Sequence, residues 1–226
     1  MSHLNIAIDG PAGAGKSTVA KEIAKHLGIR YLDTGAMYRA MALHAERNGV
    51  AYTDAEGLEK ILPAADITVR YAEDGTQHTF LREEDVTQSI RTPSVSMGAS
   101  KVGVYPAVRK RLAQLQREIG MKYDVVMDGR DITTFVLPDT KHKFFVTASP
   151  EERAKRRYLE MQQQGDVSQT LQEVIEEIRI RDARDSGRDY MPLRQAEDAV
   201  LIDTTGMTIP EVTEKMLNMI EEKEQR

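Results

Sequence analysis

The sequence predicts an α/β fold: a parallel sheet covered by helices, carrying a small antiparallel β insert and a short helical lid. Three observations predict it. Strand-sized apolar runs alternate with helix-length segments from the N-terminal end onward, a period-two segment interrupts that rhythm at 66–87, and two arginine-bearing helical segments follow residue 150. Alternating β and α elements are the signature of a parallel sheet buried under crossover helices.

The elements follow in order. Leu4–Asp9 is a short apolar strand ending at Gly10. A helix runs from Lys16 to Leu27, with Val19, Ile23 and Leu27 at a spacing of four and Gly28 where a helix C-cap belongs. Arg30–Asp33 is a second strand, and Thr34–Arg47 a helix stopped by Asn48-Gly49. Ile67–Tyr71 alternates with period two, Glu73-Asp74-Gly75 is a turn, and His78–Leu81 resumes a strand, with a third short one near Asp85-Val86-Thr87. Thr92–Val102 and Ala107–Ile119 read as helices. The β-α rhythm returns with strands at Asp124–Met127, Lys143–Thr147 and Ala199–Asp203, and helices at Glu151–Gln163, Thr170–Ser186 and Ile209–Glu224. Gln164–Ser168 is a polar, mobile linker, and Glu221–Arg226 a charged, frayed tail.

Composition narrows the possibilities. The 226 residues make one domain with a small insert, large enough to bury a core without staples. The absence of cysteine excludes a disulfide framework, a thiolate zinc site and a cysteine nucleophile. The five histidines, His3, His26, His44, His78 and His142, are scattered without metal-ligand spacing. A net charge of −5 argues against nucleic acid as a partner. Apolar runs are strand-sized, as in Ala199–Ile202, so no membrane partner is expected. Met1–Asp9 lacks a basic segment followed by a long apolar one, so the expected compartment is the cytoplasm. Met37, Met41 and Met127 read as core packing.

Gly10-Pro11-Ala12-Gly13-Ala14-Gly15-Lys16-Ser17 matches G-x-x-x-x-G-K-[ST], entered by a strand and left by a helix. The fold is therefore of the P-loop NTPase type. The glycines let backbone N–H groups turn inward around phosphate, Lys16 reaches the β- and γ-phosphates, and the Ser17 hydroxyl binds Mg²⁺. A simple chain reversal needs one glycine and no Lys-Ser after it. The guanine-reading Asn-Lys-x-Asp of a GTPase is missing, because Asn5, Asn48 and Asn218 are not followed by lysine. Asp203-Thr204-Thr205-Gly206 fits a switch pattern but comes at the last strand, and reads as a strand-to-helix turn.

Asp33-Thr34-Gly35-Ala36-Met37-Tyr38-Arg39 closes the second strand and opens the next helix, where open parallel sheets bind ligands. Thr34 as N-cap and Arg39 on the helix suit an anion. Asp128-Gly129-Arg130-Asp131 closes a further strand, with Asp128 placed as a Mg²⁺ acid, Asp33 a further acid acting through water, and Arg130 a fork for a second phosphate. Arg181, Arg184, Asp185 and Arg188 share one helix face if the helix runs past Gly187. With Arg153, Arg156 and Arg157 on the preceding helix they suggest a lid that closes on transferred phosphate. In Arg109-Lys110-Arg111, a solvated basic face, Arg109 is the one residue singled out.

These three motifs, with Arg181-Asp182-Ala183-Arg184-Asp185-Ser186-Gly187-Arg188, resemble the bacterial cytidylate kinase family in order and spacing over nearly the whole chain, hairpin insert included. The resemblance implies transfer of the γ-phosphoryl group of ATP to CMP or dCMP, with Mg²⁺ accompanying ATP. It implies that Gly10, Pro11, Ala12, Gly13, Ala14, Gly15, Lys16, Ser17 and Thr18 hold ATP. Thr34, Arg39 and Arg130 would hold the CMP phosphate; the family often has serine where Thr34 stands, and the hydroxyl is kept. Ser100, Arg109 and Asp131 would read the cytosine edge, and Asp185 would bind the ribose. Arg188 and Arg181 would approach the phosphates from the lid side, joining Lys16 and Arg130 as catalytic groups. An NMP-binding region over 35–110, a lid over 151–188 and a monomer acting on small molecules complete the expectation. The rivals are a kinase of another acceptor, such as AMP, UMP or shikimate, and an ATP-driven switch with no acceptor.

Overall fold

The structure, a computed structural model, describes residues 3–163, 165 and 167–225. Five strands form a parallel sheet: β1 (Asn5–Asp9), β2 (Arg30–Asp33), β6 (Val125–Gly129), β7 (His142–Thr147) and β8 (Val200–Asp203), in the order β2-β6-β1-β7-β8. Helices α1 (Lys16–Leu27), α2 (Thr34–Arg47), α3 (Ala55–Ile61), α4 (Pro93–Val102), α5 (Pro106–Gly120), α6 (Pro150–Gln163), α7 (Leu171–Gly187) and α8 (Ile209–Glu224) complete it. The insert is a separate antiparallel sheet of β3 (Ile67–Tyr71), β4 (Gln77–Leu81) and β5 (Glu84–Asp85).

Strand alternation divides the core in two. Ile6 and Ile8 of β1 point to one face, where Val19, Ile23, Val212 and Met216 of α1 and α8 cover them. Ala7, Leu32 and Met127 point to the other, under Met37 and Met41 of α2, Val102 of α4 and Leu112 of α5. The sheet is thus fully apolar inside, as a parallel sheet with both faces covered requires. A third, small cluster of Ala154, Val174 and Ile178 joins α6 to α7.

Register fixes the site. Asp33 pairs with Asp128 across β2 and β6, and Asp9 with Gly129 across β1 and β6. Three carboxylates, Asp33, Asp128 and Asp9, therefore lie at the carboxyl ends of the neighbouring strands β2, β6 and β1, the edge where open parallel sheets bind ligands. The insert is clasped to this edge: the Asp33 amide donates to Gln77 Oε1 at 2.7 Å.

Two expectations need correcting. The helix bearing Arg181 stops at Gly187, and Arg188 is extended, with φ −75° and ψ 144°. The shared face of four residues therefore ends with Asp185. The Glu221–Arg226 tail is helical to Glu224, because the Glu224 carboxylate meets Lys141 at 3.0 Å and His142 at 2.8 Å. Arg226 and, in the Gln164–Ser168 linker, residues 164 and 166 lie outside the described residues. Among the described residues, no helix is long and apolar enough to cross a membrane.

Candidate active site

The phosphate loop leaves β1 at Gly10, whose φ of 147° and position leave no room for a side chain: a Cβ would stand 1.9 Å from the Val146 carbonyl oxygen. Gly15, in the left-handed region, caps α1, and Lys16 is that helix's first residue. Lys16 is buried, and its Nζ donates to the Pro11 carbonyl at 2.6 Å across the loop. Burial and then the charge of Arg130 bring its ammonium down to about 7, against the pull of Asp128. A phosphate in the loop would add an opposite charge and favour the ammonium again.

Asp128 joins the loop to the sheet. Ser17 Oγ donates to its Oδ2 at 2.8 Å, and the Tyr31 hydroxyl donates to its Oδ1 at 2.7 Å. Burial, then the charge of Asp33, raises Asp128 above the usual carboxylate range. A buried all-oxygen set with surplus negative charge fits a hard divalent cation, with Ser17 and Asp128 as its holders. Nothing in the strand pattern distinguished Tyr31 from a packing residue.

Asp33, not Thr34, is the N-cap of α2: its Oδ1 accepts from the Ala36 amide at 3.0 Å. A carboxylate directly before the first helical turn outcompetes the hydroxyl that follows it. Thr34 is buried instead and donates to the Asp128 carbonyl at 2.6 Å. Arg39 does reach the strand end, where it meets Asp33 Oδ2 at 2.7 Å, while its Nε is buried without a partner.

The guanidiniums divide into two groups. Arg130 donates through Nε to Asp185 at 2.8 Å, and its charge and that of Arg181 both act on Lys16. Arg181 is half-buried, with its Nε buried and unpartnered; desolvation, then Arg130, brings it down to about 10. Lys16, Arg130 and Arg181 thus form one cationic cluster, with Asp185 against Arg130 and Asp128 and Asp9 acting on Lys16. Burial opposes the charge of Asp185, but Arg130 and Arg181 hold it below the usual carboxylate range. Arg188 meets the other oxygen of Asp185: it donates to Oδ1 at 3.4 Å and to the Met191 carbonyl at 2.6 Å, and the like charge that acts on it most is Arg109.

Arg109 and Asp131 form a buried ion pair at 2.7 Å. The pair joins Arg109 Nη2 to Asp131 Oδ2, and the Arg109 Nε is buried without a partner, so a spare donor stays beside the carboxylate. Arg109 lies over the Tyr38 ring, 5.4 Å from its centroid. Ser100 is held by Arg184, whose Nη1 donates to its Oγ at 3.0 Å.

Two of the three α6 arginines are engaged by the protein, and the third, Arg157, is exposed. Arg153 is buried and donates to the Ala148 carbonyl at 2.9 Å, the Ala12 carbonyl at 3.0 Å and Asp182 at 2.6 Å. Arg156 donates to the Thr204 carbonyl at 2.7 Å, and Arg157 lies 3.8 Å from Glu177. Arg153 therefore ties the phosphate loop to both α6 and α7. Charged hydrogen bonds are worth about 1.5–3 kcal/mol. Arg153→Met should accordingly lower the melting temperature by roughly 5–10 °C. It should also raise the KM for ATP more than that for CMP, which steady-state kinetics beside a melting curve would read.

Asp9, the last residue of β1, is fully buried and accepts from the Ile132 amide at 2.9 Å, the Thr133 amide at 2.7 Å and the Thr133 hydroxyl at 2.6 Å. Burial lifts it to about 6 against these donors. Its position before a glycine loop carried no periodic signal.

A family model described as cytidylate kinase matches residues 6–222. A cytidylate kinase of Caldicellulosiruptor bescii is 49% identical over 220 residues, covering 97% of this chain and 96% of its own. That of Carboxydothermus hydrogenoformans is also 49% identical over 220 residues, covering 97% and 98%. Among solved structures, an uncharacterized protein from Eubacterium ventriosum aligns with a TM-score of 0.54 at 13% identity, covering 97% of this chain and 99% of that one. Shikimate kinase from Bacteroides thetaiotaomicron aligns with a TM-score of 0.50 at 14% identity, covering 96% and 98%, so these two share the fold. A central parallel sheet with this phosphate loop, and near-half identity to cytidylate kinases end to end, lead to one conclusion: the chain belongs to the cytidylate kinase family.

Proposed function

We propose that the chain transfers the γ-phosphoryl group of ATP to CMP or dCMP, giving ADP and CDP or dCDP. The observation that carries the reading is the buried Arg109–Asp131 pair, 2.7 Å apart. A cytosine edge has a 4-amino donor beside ring acceptors. Asp131 accepts from the amino group, Arg109 donates to the ring, and Ser100 flanks them. Asp185 takes the ribose hydroxyls, and Arg188 lies between ribose and base. Thr34, Arg39 and Arg130 hold the CMP phosphate, with Asp33 giving up Arg39 as the phosphate arrives.

ATP lies in Gly10–Thr18. A Mg²⁺ ion held by Ser17 and Asp128, with Asp33 behind it, would neutralise charge on the ATP phosphates. Lys16, Arg130 and Arg181 spread the charge on the group in transfer, and their fixed arrangement is what makes this effective. No general base is required, because the acceptor is already a phosphate anion. We assign 35–110 with its insert as the NMP-binding region and 151–188 as the lid. The separate cluster of Ala154, Val174 and Ile178 supports treating α6 and α7 as one moving unit. Closure would exclude water from the transferring group. We propose that the chain works as a monomer, and we place the reaction in the cytoplasm with its nucleotide substrates.

Incubation with γ-labelled ATP, Mg²⁺ and CMP should place the label in CDP. Label released as inorganic phosphate, with CMP unchanged, would contradict the reading.

A further inference from the structure

The base-reading residue Asp131 sits in a turn that its own side chain does not stabilise. Its carbonyl accepts from the Phe135 amide at 2.9 Å and the Val136 amide at 3.1 Å, forming the π-turn Ile132–Val136. The two amides that follow it, Ile132 and Thr133, both point at Asp9, on a different strand and 123 residues away in sequence. Asp9 Oδ1 takes the Ile132 amide, and Oδ2 takes the Thr133 amide and hydroxyl. Asp9 is also the residue immediately before Gly10. One carboxylate therefore fixes the backbone beside Asp131 from the strand that opens the phosphate loop.

We infer that Asp9 is a positioning residue for base selection, setting the 131–133 turn so that the Asp131 carboxylate faces both Arg109 and the base. This rests on the proposed role of Asp131 in reading cytosine. Asp9 is fully buried behind the turn, so its effect is exerted through Asp131 and not by contact with substrate. Because both of its oxygens accept from a backbone N–H, an asparagine is mismatched in either orientation: its amide nitrogen would always face a donor. Thr133 supplies the one bond in the set that can be removed alone.

Misplacement of a site group by about 1 Å can cost about a hundredfold. The test is kcat/KM for CMP and for UMP in the wild type and in D9N, T133V, T133S and D131N, each with a melting temperature. The inference expects D9N to cut the CMP-over-UMP ratio about tenfold or more and T133V to cut it about threefold, with KM for ATP within about twofold and T133S restoring the wild-type ratio. Should D9N not fold, T133V against T133S decides. If D131N loses the preference while D9N and T133V keep it, whatever their melting temperatures, Asp9 is only a brace and the inference is overturned with the role of Asp131 intact. If D131N itself keeps the preference, the base-reading assignment fails and the inference falls with it.

Discussion

Lys16→Ala lowers kcat by about 10³-fold or more while the circular dichroism stays that of the wild type. The size of the loss follows from electrostatics. Lys16 is buried at the loop, where one fixed cation aimed at developing charge is worth several kcal/mol and water cannot replace it. The intact fold follows from the same burial. Without phosphate the ammonium is held at about 7 by desolvation and by Arg130, so the protein gains nothing from the charge in its ligand-free state. Alanine removes a strained cation as well as a catalytic one, and the melting temperature should stay within a few degrees. Near-normal turnover in a folded variant would remove the loop lysine from the mechanism.

Arg130→Ala should lose both activity and stability, and the two losses can be separated. Arg130 donates to Asp185 at 2.8 Å, and to the Gly129 carbonyl at 3.2 Å. Removing it leaves a buried carboxylate without its main partner, a penalty of about 3 kcal/mol. At about 2–4 °C per kcal/mol, the melting temperature should drop by roughly 10 °C. It also removes charge from the Lys16–Arg130–Arg181 cluster, and kcat should fall by about 10²–10³-fold. Adding Asp185→Ala removes the orphaned carboxylate, so the double variant should recover stability but no turnover. If the double variant also recovers kcat, Arg130 serves only as the salt-bridge partner of Asp185 and not the transferring group.

The sequence carried most of the scaffold because the relevant signals are local. The phosphate loop, the glycine cap at Gly28 and the four-residue spacing of α1 place that helix at Lys16–Leu27 with no help from tertiary contacts. Helix α3 was missed: it is seven residues long, contains Gly57 and buries only Leu58, so it has no stripe to read. The site was legible as a set of residue types but not as a set of partners. Asp33 and Thr34 are adjacent and both cap helices well, and only the geometry of the strand end gives the cap to Asp33. Arg153 looked like its neighbours Arg156 and Arg157, yet it is the one buried against the Ala12 carbonyl. Tyr31 and Asp9 were invisible because their partners, Asp128 and Thr133, are 97 and 124 residues away. Spacing rules report faces of single elements; they say nothing of which strand ends meet.

The central claim is a phosphoryl transfer whose acceptor is chosen by an edge with a donor and an acceptor. The direct measurement is ADP release with CMP, UMP, AMP or no acceptor, taken as kcat/KM for each. A base with a 4-oxo group in place of the 4-amino group meets the Asp131 carboxylate with no donor, an unmatched buried contact costing about 1–3 kcal/mol. CMP should therefore exceed UMP by roughly 5- to 150-fold, with AMP lower still and little release without acceptor. Equal kcat/KM for CMP and UMP, or ADP release at the same rate without any acceptor, would contradict the account.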